Sequence, residues 1–331
     1  MISRLTIRGC GLAGVLLGWR LWQRGVTFRL EGRKDVGASK AAAGLVNPVT
    51  GKGMNTSWRL SEFLPEMKAF YGEIGALLGQ NYFYEKPVLR IFSDEKERQK
   101  FLKKRVQLKP WIAKVHPILP HMKHGQWGGV QWHSGGWLNV RAFVEDSLEF
   151  FERECPGFTE PNATVYCEGA KGLQSGPFSF LPQRLAKGQI VEVTVPGWNE
   201  NAILNRNGWC IPIGGDRYRV GATYEWDDLD DEPSEQGRLE LEQRVAQFTD
   251  IAFTVVKQVA GVRPIIRTSQ PVIGRHPEIN DAFVLNGLGS KGCLYGPKVA
   301  RELVSHLLDN QELDPDLDIK FLMDRRSQPE T

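Results

Sequence analysis

The sequence lacks the residue spacings that mark metal sites and disulfide frameworks. Its five cysteines form no C-x-x-C pair, and its six histidines form no H-x-x-x-H or Cys/His cluster. An odd number of scattered cysteines argues against a disulfide framework and favours a reducing compartment. We therefore predict neither a metal site nor stabilising disulfides.

The sequence also lacks a long apolar run and a strong excess of charge. No run approaches the roughly 20 residues that cross a bilayer. The uncharged residues 9–19 have the length of a signal-peptide core, but they contain several glycines and no small-residue cleavage site follows. The net charge of +3 is too small to predict nucleic-acid binding, and the charged residues 94–105 read as a solvated helix face. We expect a soluble cytoplasmic protein with neither a membrane nor a nucleic acid as partner.

The first 31 residues, by contrast, carry a clear pattern. Residues 5–8 alternate as a strand, apolar residues then recur at helical spacing up to Gly25, and a second alternating strand ends at Glu31. Three glycines with the spacing G-x-G-x-x-G lie at the first strand-to-helix turn. This context predicts a β-α-β dinucleotide-binding unit.

Each residue type of this unit has a physical task. Gly9 makes the tight turn, Gly11 lets the backbone approach a diphosphate, and Gly14 lets helix and strand pack closely. The amides and the positive end of the helix would hold the phosphates. Glu31 would accept hydrogen bonds from a ribose diol, which disfavours NADP.

Two distant regions extend the pattern. The small-residue stretch "ASKAAAGLVNPVTGK" (38–52) follows the unit, and residues 260–308 read as strand, turn, strand, glycine loop and helix. Four anchors lie between them, at residues 133–151, 164–170, 185–193 and 210–225. Together these segments resemble the D-amino-acid oxidase superfamily of flavoproteins, most closely its glycine oxidase and sarcosine oxidase branch. The resemblance implies non-covalent FAD rather than NAD, an electron acceptor, and an amine or amino acid as electron donor.

The resemblance also implies the fold class. It predicts an α/β protein in which a Rossmann-like parallel sheet binds FAD and an α+β domain with a mixed sheet binds substrate. The FAD domain would be discontinuous, with residues 1–60, 141–190 and 257–331. The substrate domain would take residues 61–140 and 191–256, with helices near 62–79 and 234–251.

The family motifs give a set of candidate cofactor contacts. The last glycine loop would carry the flavin to the N-terminus of the last helix, whose dipole stabilises negative charge on reduced flavin. The predicted cofactor-binding residues are Gly9, Gly11, Leu12, Ala13, Gly14, Glu31, Gly32, Ser39, Ala43, Gly44, Leu45, Gly169, Gly261, Arg263, Gly287, Gly289, Ser290, Lys291 and Gly292.

On the substrate side, Arg263 of "AGVRP" occupies the position at which the amino-acid-oxidising branch holds the substrate carboxylate. A guanidinium suits this task because its fork binds a carboxylate bidentately and keeps its proton. A second family arginine aligns with Ser290, so Lys291 and Lys52 are the other predicted catalytic cations. The wall would include Trp209, Tyr218 and Tyr224, together with Asn55, Trp58 and Arg59, which suit an acidic or polyhydroxylated substrate.

One departure from the family pattern concerns the sheet. The link "CPGFTEPNA" (155–163) is too short for the usual three-stranded meander over one sheet face. Arg8, Arg29 and Glu168 alternate with apolar partners in strands that should otherwise be apolar throughout. We predict that these three residues share one exposed or salt-linked face.

The predicted function is FAD-dependent oxidation of an amine or amino acid by hydride transfer to flavin N5. Three alternatives remain open at this point: oxidation of a 2-hydroxy acid, oxidation of a tRNA wobble-uridine side chain, and a non-catalytic FAD-binding protein. The second rests on a resemblance to the oxidase domain of the bifunctional wobble-uridine modification enzyme. The substrate, the electron acceptor and the oligomeric state are left open.

Overall fold

The computed structural model describes residues 4–34, 37–155, 158 and 160–324. The helices of this part are α1 (Leu12–Gln23), α2 (Leu60–Leu78), α3 (Glu95–Leu108), α4 (Val140–Glu154), α5 (Gly169–Ser175), α6 (Glu235–Val245), α7 (Gly292–Asp309) and α8 (Ile319–Asp324). The strands are β1 (Arg4–Arg8), β2 (Thr27–Glu31), β3 (Leu45–Val46), β4 (Val49–Thr50), β5 (Asn55–Thr56), β6 (Phe83–Glu85), β7 (Val88–Ile91), β8 (Ile112–His116), β9 (Gly129–Trp132), β10 (Gly136–Leu138), β11 (Ala163–Tyr166), β12 (Ala186–Thr194), β13 (Ile203–Asn205), β14 (Trp209–Gly214), β15 (Arg217–Gly221), β16 (Thr254–Arg263), β17 (Val272–Arg275) and β18 (Ala282–Asn286).

A five-stranded sheet carries the predicted dinucleotide-binding unit. Its strand order is β17-β18-β11-β1-β2, and every neighbouring pair is parallel except β17 with β18. One face is apolar, since Leu5, Ile7, Val165 and Leu285 are fully buried against a core that includes α1, α4 and α7. The predicted β-α-β unit and the predicted parallel sheet are confirmed.

The opposite face of β1 and β2 is charged. The parallel register places Arg29 beside Thr6 and Glu31 beside Arg8. Arg29 forms an ion pair with Glu31 at 2.8 Å and donates hydrogen bonds to the Thr6 hydroxyl and the Phe158 carbonyl oxygen. Arg8 lies 3.7 Å from the same carboxylate. Both arginines are therefore salt-linked on one partly exposed face, as predicted.

The prediction that Glu168 shares this charged sheet face with Arg8 and Arg29 is wrong, because Glu168 lies beyond the end of the strand. Strand β11 ends at Tyr166, and Glu168 follows it as the residue before α5. Among the described residues, Arg8 pairs with Glu31 and forms no ion pair with Glu168. The described part of the link between α4 and β11 contains no strand, which agrees with the predicted loss of the meander.

An eight-stranded mixed sheet forms the other half of the fold. Its order is β16-β12-β15-β14-β13-β7-β9-β8, and α6 packs on β12 and β15. Strands β12 and β16 pair along nine positions and run across the predicted boundaries at residues 190 and 257. The remaining strands lie within the predicted substrate domain, and the division into two domains stays a prediction.

The helices agree with the sequence patterns. Helix α4 begins after Asn139, whose side chain accepts a hydrogen bond from the Ala142 amide, and Val140, Phe143 and Phe151 are buried. Helix α3 follows the Asp94 cap and buries only Phe101 and Leu108. Among the described residues, no helix combines the length and apolarity needed to span a membrane.

Candidate active site

A cavity of about 870 Å³ lies where the two large sheets meet. Its lining comes from both ends of the chain and from the middle: the first glycine turn, residues 37–47, residues 167–171, the glycine-containing strands β12 and β16, and residues 288–294. The volume is within the range of about 300–1,000 Å³ that is usual for ligand pockets. The topology thus brings the separate family motifs to one place.

Two glycines of the motif, one in the turn after β1 and one in the first turn of α1, leave no room for a side chain. Gly9 has a φ of +116°, and a Cβ there would lie 2.3 Å from the Cys167 carbonyl oxygen. A Cβ on Gly14 would lie 1.9 Å from the Gly9 carbonyl oxygen. The close approach of α1 to β1 and β11 therefore requires glycine, which agrees with the tasks derived from the spacing.

The N-terminus of α1 is suited to an anion. Gly11, Leu12 and Ala13 line the cavity, and the first turn contains no acidic residue. The Leu12 amide donates a hydrogen bond of 2.9 Å to the Ser39 hydroxyl. The first turn therefore supplies no carboxylate that would neutralise the positive end of the helix dipole, so these residues fit the diphosphate of a dinucleotide.

Glu31 lies next to this turn but does not line the cavity. Its backbone oxygen accepts a hydrogen bond from the Gly9 amide, and its carboxylate pairs with Arg29 and Arg8 on the charged sheet face. The following residues, Gly32 and Arg33, do line the cavity. The contact between Glu31 and a ribose stays a prediction. A ribose diol would share the Glu31 carboxylate oxygens with Arg8 and Arg29.

A second helix N-terminus reaches the cavity from the C-terminal region. Gly289 adopts a φ of +54° in the loop before α7, and Lys291 occupies the position before the first helical residue. Burial lowers the pKa of the Lys291 ammonium below its ordinary value. The ammonium lies 6.0 Å from the centre of the Tyr295 ring, and among the described residues it forms no ion pair. Lys291 thus places a partly buried cation at this end of the cavity.

Arg263 lies in the same cavity, at the end of β16. Its guanidinium donates hydrogen bonds to the backbone oxygens of Lys187 (3.1 Å) and Thr223 (3.2 Å). A Cβ on Gly188 would lie 1.9 Å from Nη2, so a side chain at this position would displace the guanidinium from where it now lies. Burial lowers the pKa of Arg263, while Tyr224 and the Glu225 carboxylate nearby partly oppose this shift; among the described residues no carboxylate is within ion-pair distance of it.

Most of the predicted site residues meet at this cavity. Those that line it are Gly9, Gly11, Leu12, Ala13, Gly32, Ser39, Ala43, Gly44, Leu45, Gly169, Gly261, Arg263, Gly289, Ser290, Lys291 and Gly292. Gly14 and Gly287 lie just behind the lining, and Lys52 is exposed beside the lining residue Gly51. The roles of all these residues in binding and catalysis stay predictions.

The predicted wall from residues 55–59 is wrong. Trp58 packs against Phe63 and Tyr295 in the core, and Arg59 pairs with Glu62 and Asp314. Asn55 accepts a hydrogen bond from Lys104 at the surface. The chain turns away from the cavity after Gly51, and Ser57 is the only residue of 55–59 that lines it.

The sequence patterns missed several lining residues, among them the charged residues Arg33, Glu168, Lys171, Asp231 and Arg244. Asp231 accepts a hydrogen bond from the Val262 amide on the edge strand β16, and Arg244 pairs with Glu240 on α6. Neither residue belongs to a motif, because each reaches the cavity only through the packing of a loop or helix on the eight-stranded sheet.

Comparison with known proteins agrees with this geometry. Residues 152–306 match the DAO family, described as FAD dependent oxidoreductase. Glycine oxidase of Bacillus subtilis (strain 168) is 30% identical over 173 residues, which are 47% of this chain and 44% of that protein. The chain thus spans less than half the length of the curated relatives it matches.

Solved structures share the fold over nearly the whole chain. The crystal structure of glycine oxidase from Geobacillus kaustophilus superposes with a TM-score of 0.82 at 21% identity, covering 96% of this chain and 98% of that one. Iminodiacetate oxidase from Chelativorans sp. BNC1 superposes with a TM-score of 0.75 at 18% identity, covering 92% and 95%. At these identities the likeness establishes the fold alone.

Proposed function

We propose that this chain is an FAD-dependent enzyme that oxidises an amine carrying a carboxylate, and the match of residues 152–306 to the DAO family of FAD dependent oxidoreductases supports this. The expected donors are amino acids or N-substituted amino acids, in line with the names of the relatives and of the solved structures. FAD, when bound, would supply an acceptor for the hydride from the C–H bond beside nitrogen.

The substrate class is inferred from the hydrogen bonds and the charge of the Arg263 guanidinium. A guanidinium has five N–H donors, of which two are used by backbone oxygens. Backbone oxygens do not neutralise a charge in a partly dry cavity, so a ligand carboxylate would satisfy both the charge and the free donors. Arg263 would therefore orient the substrate, and orientation is a large part of catalysis for this type of reaction.

Two helix N-termini support the cofactor assignment. The N-terminus of α1, with Gly11 and Leu12, would hold the diphosphate, and the N-terminus of α7 with Lys291 would face a group that becomes negative on reduction. No histidine is among the described residues that line the cavity. A 2-hydroxy acid needs a positioned base, whereas a neutral amine does not, so the lining favours the amine.

The test is anaerobic reduction of the purified flavoprotein by paired compounds. Glycine, sarcosine, iminodiacetate and a set of D- and L-amino acids are each compared with the corresponding amine without its carboxylate. We expect bleaching of the oxidised flavin by at least one amino acid and not by its decarboxylated partner. Reduction by hydroxy acids alone, or by no amine at all, would refute the proposal.

The Arg263→Met variant tests the carboxylate contact. We expect kcat/KM for the reducing amino acid to fall roughly 10- to 150-fold, the range for a hydrogen bond to a charged group. Arg267→Met is the matched control, because Arg267 follows on the same segment, is exposed and does not line the cavity. Equal losses in the two variants would contradict the assigned role.

A further inference from the structure

Tyr224 is an exposed aromatic residue that lines the cavity, as predicted for a wall residue, but its contact with Arg263 goes beyond that of a wall. Its side chain is 52% exposed, yet it lines the cavity and its ring centre lies 4.2 Å from the Arg263 guanidinium carbon. We propose that Tyr224 is a positioning residue, which holds Arg263 in the orientation that receives a substrate carboxylate. This inference rests on the proposed function.

The backbone around Tyr224 is fixed on both sides. The Thr223 amide donates to the Gln189 oxygen, and Glu225 exchanges two hydrogen bonds with Lys187 on β12. Arg263 donates to the oxygens of Lys187 and Thr223. The two carbonyl contacts fix one edge of the guanidinium, and the Tyr224 ring covers one of its faces. A planar cation that is held at one edge and on one face keeps a fixed orientation, so its remaining N–H donors point in a fixed direction.

Tyr224 also joins this clamp to the loop before α7. Its hydroxyl lies 3.3 Å from the Ser290 hydroxyl, and Ser290 lines the cavity beside Lys291. The Trp226 ring lies 5.4 Å from the Tyr224 ring, and the Arg184 guanidinium lies over Trp226 at 4.6 Å. Tyr224 is thus supported from the solvent side and is tied to both halves of the site, as a positioning residue would be.

A simple wall residue would behave differently from a positioning residue. Loss of a wall changes the shape of the cavity for every ligand, whereas loss of the ring over Arg263 weakens the binding of carboxylates in particular. A carboxylate that cannot be oxidised reports on binding at Arg263 without turnover. Acetate is the simplest such probe. A variant that keeps the bulk of the side chain but not its aromatic face then separates a wall residue from a positioning residue.

The experiment titrates acetate into the FAD-loaded protein and follows the change in flavin absorbance. We expect Tyr224→Ala and Tyr224→Leu to raise the dissociation constant of acetate roughly 3- to 30-fold, the range for a partly desolvated cation–π contact. Tyr224→Phe keeps the ring and should stay within about 3-fold of the wild type. Tyr84→Ala is the matched control, because Tyr84 is 37% exposed and stacks on Trp137 away from the cavity.

The outcomes separate this inference from the proposed function. If Arg263→Met weakens acetate binding and both Tyr224→Ala and Tyr224→Leu leave it unchanged, Tyr224 does not position Arg263. If Tyr224→Leu alone retains affinity, bulk rather than the aromatic face is what matters, and the inference is likewise overturned. If Arg263→Met itself leaves acetate binding unchanged, the carboxylate site of the proposed function is wrong.

Discussion

At the scale of single residues, Gly14 and Gly72 show how differently two helical glycines are constrained. A Cβ on Gly14 would lie 1.9 Å from a backbone oxygen in the turn that follows β1, whereas a Cβ on Gly72 would meet nothing within 4 Å. Gly14 belongs to the glycine motif and Gly72 lies on the exposed side of α2. The first glycine is required by packing, and the second only lowers helix propensity.

We expect Gly14→Ala to destabilise the protein by about 1–3 kcal/mol, because the backbone must move to admit the methyl group. FAD binding should weaken with it, since the moved turn lines the diphosphate region. Gly72→Ala should instead stabilise the protein by about 0.5–1 kcal/mol. Urea unfolding of the wild type and of the two variants measures both changes in stability. Equal changes for Gly14→Ala and Gly72→Ala would contradict the packing argument.

At the scale of elements, an ionic cluster ties α2 to α7 and to the segment after it. Glu62 accepts hydrogen bonds from Arg59 and Lys298, and Arg59 also pairs with Asp314. The hydrogen bond from Arg59, followed by Lys298, lowers the pKa of Glu62 from 4.5 to about 2. A carboxyl group with a lowered pKa in the folded state stabilises the fold above its unfolded pKa.

We therefore expect the contribution of Glu62 to be complete above pH 4.5 and to be lost as the pH falls toward about 2. Its size should be at most about 1 kcal/mol, because the Glu62 side chain is 36% exposed and solvent screens the pair. Urea unfolding at several pH values should show a weaker acid dependence for Glu62→Gln than for the wild type. Glu73→Gln is the control, since Glu73 lies on the same helix and forms no ion pair among the described residues. Identical acid dependence of Glu62→Gln and the wild type would contradict this account.

At the scale of the whole molecule, the cavity is lined by residues of both large sheets, so a ligand bound there would contact both. A ligand that binds only the folded chain stabilises it by mass action, by about 2.7 kcal/mol at a hundredfold excess over its dissociation constant. The melting temperature of the apoprotein should therefore rise with FAD concentration. NADP⁺ is the control, and an equal rise with NADP⁺ would contradict the FAD assignment.

Much of the fold followed from local patterns. Residues 152–306 match a family described as FAD dependent oxidoreductase, in line with the predicted class, and the solved structures confirm the predicted fold. The short link before β11 was enough to anticipate a charged face with Arg8 and Arg29. The prediction of a wall at Trp58 and Arg59 was wrong. These residues follow the lining residue Gly51 in sequence, but closeness in sequence does not determine the direction in which the chain then turns.

The sequence by itself determined the glycine turn, the amphipathic helices and the β-α-β unit, because these depend on backbone conformation and on apolar spacing within a few residues. Only the tertiary structure decided that Glu31 faces two arginines, that Lys52 lies outside the cavity, and that Tyr224 meets Ser290 across 66 positions of the chain. Such contacts join side chains from separate elements, and their partners exist only once the two sheets have packed around a common cavity.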